Sequence, residues 1–283
     1  MNVVSLLFHD VYASDPGESG FRSPAADRYK LSIPEFEAQL DGLVSARVET
    51  PFLANRLVGS GLVRRPTPDS RIPALITVDD GGESYYTASA DRLEALGWRG
   101  HCFVTTDFIG QQGFMTAAQI RELDKRGHLI GSHSASHPAR FSALTAGEMR
   151  REWSGSRRTL EDLLGHAVTV ASVPGGYFSE GVAMAAAESG LPVLFTSEPT
   201  TRTSSVDGCT VIGRFTIRRG HAPNMAQRFA VASPWARCGA WAGWNAKAVA
   251  KPLLGPSYAR IADWLLAAPR LRSGRTRAST NHG

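Results

Sequence analysis

Short runs of consecutive apolar residues alternate along this chain with stretches in which apolar positions recur every three or four residues. Residues 3–8, 74–78, 101–105, 128–131, 168–173, 192–196 and 211–217 form the runs, each the length of a buried strand. Between them lie helical patterns. Ile33, Phe36, Leu40, Leu43 and Val44 recur at helical spacing, with Pro34 at a first helical position. Residues 88–96 continue the alternation and stop at Gly97. Thr116 caps a helix through 124 that turns Ile120 and Leu123 inward and ends at Gly127. Thr145 with Glu148 makes a capping box for a long helix carrying Met149, Trp153, Leu160 and Leu163 on one side, up to Gly165. An alanine-rich helix over 181–189 closes at Gly190. Strands alternating with helices predict parallel βαβ units, in a β/α barrel or an open α/β sheet. Polar residues follow the runs at their C-terminal ends: His9-Asp10, Asp79-Asp80, His133 and Pro174-Gly175. In a barrel of parallel strands these ends open on one face, where sites are built.

With 283 residues, 42% apolar and 20% charged, the chain can bury one large core or two small ones, and it lacks the composition of a disordered, collagen-like or disulfide-scaffold chain. The net charge of +5 sits at one end. Residues 251–283 hold six basic side chains and one acid, whereas residues 1–250 hold 25 of each. This argues against a nucleic-acid-binding face spread over the fold. The expected organisation is one barrel domain over 1–250, a C-terminal helix over 251–270 and a basic, disordered tail over 271–283. Trp235, Trp241 and Trp244 suggest amphipathic packing of the C-terminal third across the barrel. A basic end bearing aromatics suits weak contact with an anionic membrane surface, with a solvated tail as the plainer alternative. Three scattered cysteines without a CxxC pair suit a reducing compartment. The N-terminus has no basic region ahead of its apolar run. The expectation is a cytoplasmic protein, peripheral to a membrane at most.

Three motifs carry chemistry. In Asp79-Asp80-Gly81-Gly82, two adjacent carboxylates at a strand end repel each other, and a cation would relieve one and leave the other as a base. The alternative is a solvated turn. In His133-Ser134-Ala135-Ser136-His137, histidines four apart on a helical turn project to one side and can chelate a divalent ion. The third, Ser172-Val173-Pro174-Gly175-Gly176-Tyr177, offers backbone N–H groups to an oxyanion, or is simply a turn.

In this order the motifs resemble the polysaccharide deacetylase family, also called the NodB-homology or carbohydrate esterase family 4 domain. Its Thr-Phe-Asp-Asp-Gly is similar to Thr77-Val78-Asp79-Asp80-Gly81, and its His-Ser/Thr-x-x-His is matched by His133 to His137. The resemblance implies a distorted (β/α)7-type barrel of parallel strands, here with a helical C-terminal extension. It implies a divalent metal, zinc first, held by Asp80, His133 and His137, with Asp79 as general base. It implies a hydrolase that removes the N-acetyl group of an amino sugar in a polysaccharide or glycan precursor, Gly175 being a backbone oxyanion donor. Two departures stand out. Where the family has Arg-x-Pro-aromatic, this chain has Ser172-Val173-Pro174-Gly175, and Arg214 is the substitute for the lost arginine. The late histidine that acts as general acid is missing from its strand, which leaves His221 or His9. A silent sugar-binding relative and a hydrolase of another small amide are the alternatives.

Overall fold

The computed structural model describes residues 2–48, 54, 74–231 and 233–254, with side chains through 246. In chain order the elements are β1 (Val4–Phe8), β2 (Val11–Tyr12), α1 (Pro24–Asp27), β3 (Leu31–Ser32), α2 (Ile33–Ser45) and β4 (Ala74–Val78). Then come α3 (Ala90–Ala95), β5 (His101–Val104), α4 (Ala117–Lys125), β6 (Leu129–Ser132), α5 (Ala146–Leu164), β7 (Val170–Ser172) and α6 (Glu180–Glu188). The chain continues through β8 (Val193–Phe195), β9 (Thr203–Val206), β10 (Cys209–Ile212), β11 (Phe215–Thr216), α7 (Met225–Ala230) and α8 (Pro234–Leu254). Contacts divide the chain into units Met1–Trp241 and Ala242–Gly283.

The helices begin and end where local chemistry allows. Ser32, Thr116 and Thr145 each accept from the backbone three residues on, and Glu35, Gln119 and Glu148 reach back to complete capping boxes. α5 ends on Gly165 at φ 78.

The main sheet runs β11-β1-β4-β5-β6-β7-β8-β10-β9, parallel throughout except for the β10–β9 pair. Residues 211–217, expected as one strand, are two. β10 pairs with β8 and β11 pairs with β1, near opposite ends of the strand order. Only Gly213 and Arg214 separate them, a reach of no more than about 11 Å from residue 212 to residue 215. The sheet therefore curls into a barrel, and the chain itself bridges the seam. Glycine is required at the crossing: a Cβ on Gly213 would lie 2.4 Å from the Glu198 carbonyl oxygen.

Strand alternation sorts the core into two layers. Ile76, Val78, Cys102, Val104 and Ala171 face outward against the helices, in a cluster with Leu40, Leu93, Leu123 and Trp153. Leu75, Phe103, Val170, Val193, Phe195 and Ile212 fill the interior. By the same period of two, Thr77 and Asp79 follow Leu75 to the inner side, and Ser172 follows Val170. The strand C-terminal ends thus carry polar groups over an apolar plug. Trp235 and Trp241 on α8 are exposed, contrary to the packing expected of them, whereas Trp244 is half-buried. Residues 255–283, which hold most of the expected C-terminal helix and all of the basic tail, lie outside the described residues. No helix among the described residues is long and apolar enough to cross a membrane.

Candidate active site

Asp79 and Asp80 leave the end of β4 in different directions. Asp80 adopts φ 78 and Gly81 φ 81, and this left-handed pair turns the second carboxylate away from the barrel axis toward the loop after β6. Asp80 Oδ1 lies 3.4 Å from His133 Nε2 and 3.6 Å from His137 Nε2. The three ligand atoms fall within 4.8 Å of one another.

The two histidines do not sit on a helical turn, as their spacing suggested. Residues 133–138 are an irregular loop in which Ser134 has φ 66 and His137 φ 56. These left-handed residues fold the loop back and place the imidazole centroids 5.1 Å apart. Side chains hold the strain in place. Ser134 Oγ accepts from the His137 N–H at 3.1 Å. Glu152 on α5 accepts from the Ala135 and Ser136 N–H groups at 3.0 and 2.9 Å and from the Ser136 hydroxyl at 2.7 Å. Sequence reasoning missed Glu152. Its only signal was a carboxylate on the helix that follows the histidine loop.

The donor set fits a divalent cation. Four-coordinate zinc at ~2.0–2.1 Å from each ligand separates neighbouring ligand atoms by about 3.4 Å, close to the two distances from Asp80. His133 Nδ1 donates to the Ser172 carbonyl at 3.0 Å, so that Nε2, once deprotonated, is the atom that would meet a cation. Without a cation the electrostatics already favour an ionised carboxylate. Burial pushes Asp80 up, but the hydrogen bond from His133 and the positive charges of His9, His133 and His137 hold it well below the usual carboxylate range. Burial pushes His137 down, reinforced by His133.

Asp79 remains on the inner face, and its partner is Arg214, at the seam. The guanidinium donates from Nη1 to Oδ1 at 2.7 Å and from Nη2 to Oδ2 at 2.8 Å. It also donates to the Ser172 hydroxyl at 2.8 Å, the Thr77 hydroxyl at 3.2 Å and the Thr196 carbonyl at 2.9 Å. Arg214 is fully buried, and these five bonds match its five N–H donors. Phe103 and Phe195 flank it, with ring centroids 5.8 and 5.9 Å from the guanidinium carbon. The Ser172 hydroxyl in turn donates to Asp79 at 3.0 Å. Burial alone would raise the Asp79 carboxyl. Arg214 first, then His133, hold it below its ordinary value. Thus serine occupies the β7 position where an arginine was expected, and the arginine approaches the same carboxylate from the opposite wall.

His9 and His221 are placed differently. His9 directly follows β1, and the charges of Asp80, Asp79, Arg214 and His133 act on it. Its Nδ1 is buried without a hydrogen-bond partner, its ring lies 5.0 Å from that of Tyr29, and burial lowers its pKa. His221 lies beyond β11. Burial, with Arg218 beside it, lowers its pKa to about 4, and the charges acting on it do not include those of the Asp-His cluster. Gly175 sits in the turn directly after β7 with φ 62, exposed.

Comparison with known proteins finds a family model that matches part of the chain. Residues 67–194 match the family model described as polysaccharide deacetylase. A Bacillus subtilis (strain 168) protein, named "Putative polysaccharide deacetylase YxkH", is 27% identical over 171 residues, 60% of this chain and 60% of its own length. The chain thus spans less than two thirds of that curated relative. Among solved structures, the Streptococcus pyogenes deacetylase PplD, solved in complex with acetate, aligns with a TM-score of 0.67 at 17% identity over 82% of this chain and 98% of its own. IcaB from Ammonifex degensii aligns with a TM-score of 0.62 at 21% identity over 83% and 97%. At such identities the likeness is one of fold, and it agrees with the parallel barrel described above.

Proposed function

We propose, from the premise that residues 67–194 belong to the polysaccharide deacetylase family, that this chain hydrolyses the N-acetyl group of an amino sugar in a polysaccharide or glycan precursor. The observation that carries the reading is the juxtaposition of Asp80, His133 and His137 with the second carboxylate, Asp79, whose Oδ2 lies 3.9 Å from His133 Nε2.

Asp80 Oδ1 and the two Nε2 atoms are the residues that would hold a divalent ion, which when bound supplies Lewis acidity and lowers the pKa of water. Asp79 accepts the proton of the attacking water. Arg214 and Ser172 orient it for that step, and they keep it ionised and therefore able to accept at neutral pH. Gly175 offers its N–H to the oxygen of the acetyl carbonyl as charge develops there. His9, whose buried ring feels the charges of both Asp80 and Asp79, which offset part of the lowering by burial, is the residue assigned to give a proton to the departing amine.

The test is acetate release from a panel of acetylated amino-sugar oligomers, with and without a chelator. Release that the chelator stops and zinc restores supports the reading. Asp79→Asn should bind the metal and turn nothing over. Undiminished hydrolysis by Asp79→Asn would overturn the base assignment. Metal binding with no acetate from any member of the panel would leave a sugar-binding protein instead.

A further inference from the structure

Beside His137 stands a cluster of three phenylalanines that the proposed chemistry does not use. The Phe21 ring lies 4.7 Å from the His137 imidazole, 5.0 Å from Phe108 and 5.1 Å from Phe114, between centroids. Phe108 and Phe114 are 4.8 Å apart. Phe114 is buried, whereas Phe21 and Phe108 are half-buried residues. Exposed aromatic surface is unfavourable at about 25 cal/mol per Å², so rings held there call for an explanation.

The loop that carries Phe21 is fastened along its length. Glu18 accepts from the backbone N–H groups of Ala13, Ser14 and Asp15 at 2.8–3.0 Å. Lys30, almost fully buried, donates to the carbonyls of Pro16 and Phe21 at 2.6 and 2.7 Å. Gly20 N–H donates to the Gly113 carbonyl at 2.8 Å, tying the loop to the one that bears Phe108 and Phe114. Ser19 Oγ donates at 2.6 Å to the buried carboxylate of Asp10, which also accepts from Ser84 at 2.7 Å, just beyond the Asp79-Asp80 turn. The Phe21 backbone is therefore set in the same framework as the proposed metal ligands. Aromatic surface fixed before a ligand arrives loses little entropy on binding.

We propose that Phe21 and Phe108 form a carbohydrate-stacking subsite that takes the C–H face of a pyranose ring neighbouring the acetylated sugar. The assignment rests on the deacetylase reading. A sugar ring is the occupant because anything seated at the His137 end of the cluster touches Phe21. A glycan places a rigid ring with an apolar C–H face one residue from its reacting acetyl group, and its hydroxyls stay in solvent at the rim.

The experiment compares steady-state kinetics of the full chain with Phe21→Ala and Phe108→Ala, loaded with zinc. The substrates are an acetylated amino-sugar tetramer, the corresponding monomer and an aryl acetate ester. We expect KM for the tetramer to rise about tenfold in each variant, the loss of one stacking contact. Turnover of monomer and ester, and zinc affinity, should stay at wild-type levels, and Phe21→Trp should restore the tetramer KM. Phe108→Ala carries the test if loss of Phe21 also disturbs His137. Equal losses on all three substrates in Phe108→Ala, or an unchanged tetramer KM in both variants, would overturn the proposal. If the wild-type chain hydrolyses none of them, the deacetylase reading fails. Calorimetric titration of the tetramer then decides the subsite by itself: tetramer binding weakened by Phe108→Ala sustains it, and binding that is equal or absent overturns it.

Discussion

Replacing Arg214 by methionine keeps an unbranched apolar stem between Phe103 and Phe195 and removes the positive charge. Asp79 then has the Ser172 hydroxyl as its remaining hydrogen bond and no adjoining guanidinium. Two opposite charges about 4 Å apart interact by about 4 kcal/mol at an effective dielectric of 20. Breaking a buried pair by removing one partner costs about 3–5 kcal/mol. The two routes agree, so Arg214→Met should lose about 4 kcal/mol, a large share of the roughly 5–15 kcal/mol that stabilises a domain. Urea unfolding at pH 7 in chelator measures this without a metal contribution. The pH dependence has a definite sign. The Asp79 pKa is lowered in the folded wild type, so the stability it contributes is present above the unfolded value of 3.8 and is lost as pH falls through the lower folded value. In Arg214→Met burial raises the Asp79 carboxyl with no guanidinium to oppose it, and the deficit should shrink as acid neutralises Asp79. Adding Asp79→Asn should recover part of the loss, giving non-additivity of about 1–3 kcal/mol. Unchanged urea midpoints in Arg214→Met, or strict additivity in the double variant, would refute the pairing as the determinant of this site.

Other outcomes follow from the same geometry. Glu152→Ala frees two backbone N–H groups of the histidine loop and should weaken zinc binding by about 10–100-fold in a competition titration, with the fold retained by circular dichroism. His9→Gln should lower kcat by about 10²–10⁴-fold while His221→Ala leaves it within twofold or so, and the reverse ranking would exchange their roles. Burial raises Asp10 from 3.8 to about 6, so its charge opposes folding above that range and not below the unfolded value. Asp10→Asn should therefore gain up to about 3 kcal/mol relative to wild type between pH 4 and pH 7 in urea unfolding. Gly82→Ala should fail to fold or lose activity, because a Cβ there would lie 1.8 Å from the Asp10 carboxylate.

The site was unevenly legible. Asp79, Asp80 and His133 stood out because each follows an apolar run, and His137 because it lies four residues beyond His133; strand ends gather on one face of a parallel barrel. How the histidines converge did not stand out. A four-residue spacing suggests a helical turn, whereas left-handed backbone at Ser134 and His137 brings them together, under the hold of Glu152 from another element. Arg214 was named as a substitute for the missing arginine, but 135 residues from Asp79 the sequence held no sign of how it reaches the carboxylate. His9 at a strand end and His221 in the loop after the last strand were both open as proton donors; the charges of both carboxylates act on His9, and those acting on His221 do not include them.

By itself the sequence determined the succession of strands and helices, their caps and the ligand types at strand ends. These depend on the period of apolar residues and on hydrogen bonds between groups three or four residues apart. The tertiary structure alone decided that residues 211–217 split across the seam, that Arg214 meets Asp79 and Ser172 inside the barrel, and that Phe21 leans on His137. Those contacts depend on register and closure, where a shift of one residue would turn each side chain to the other face of the sheet.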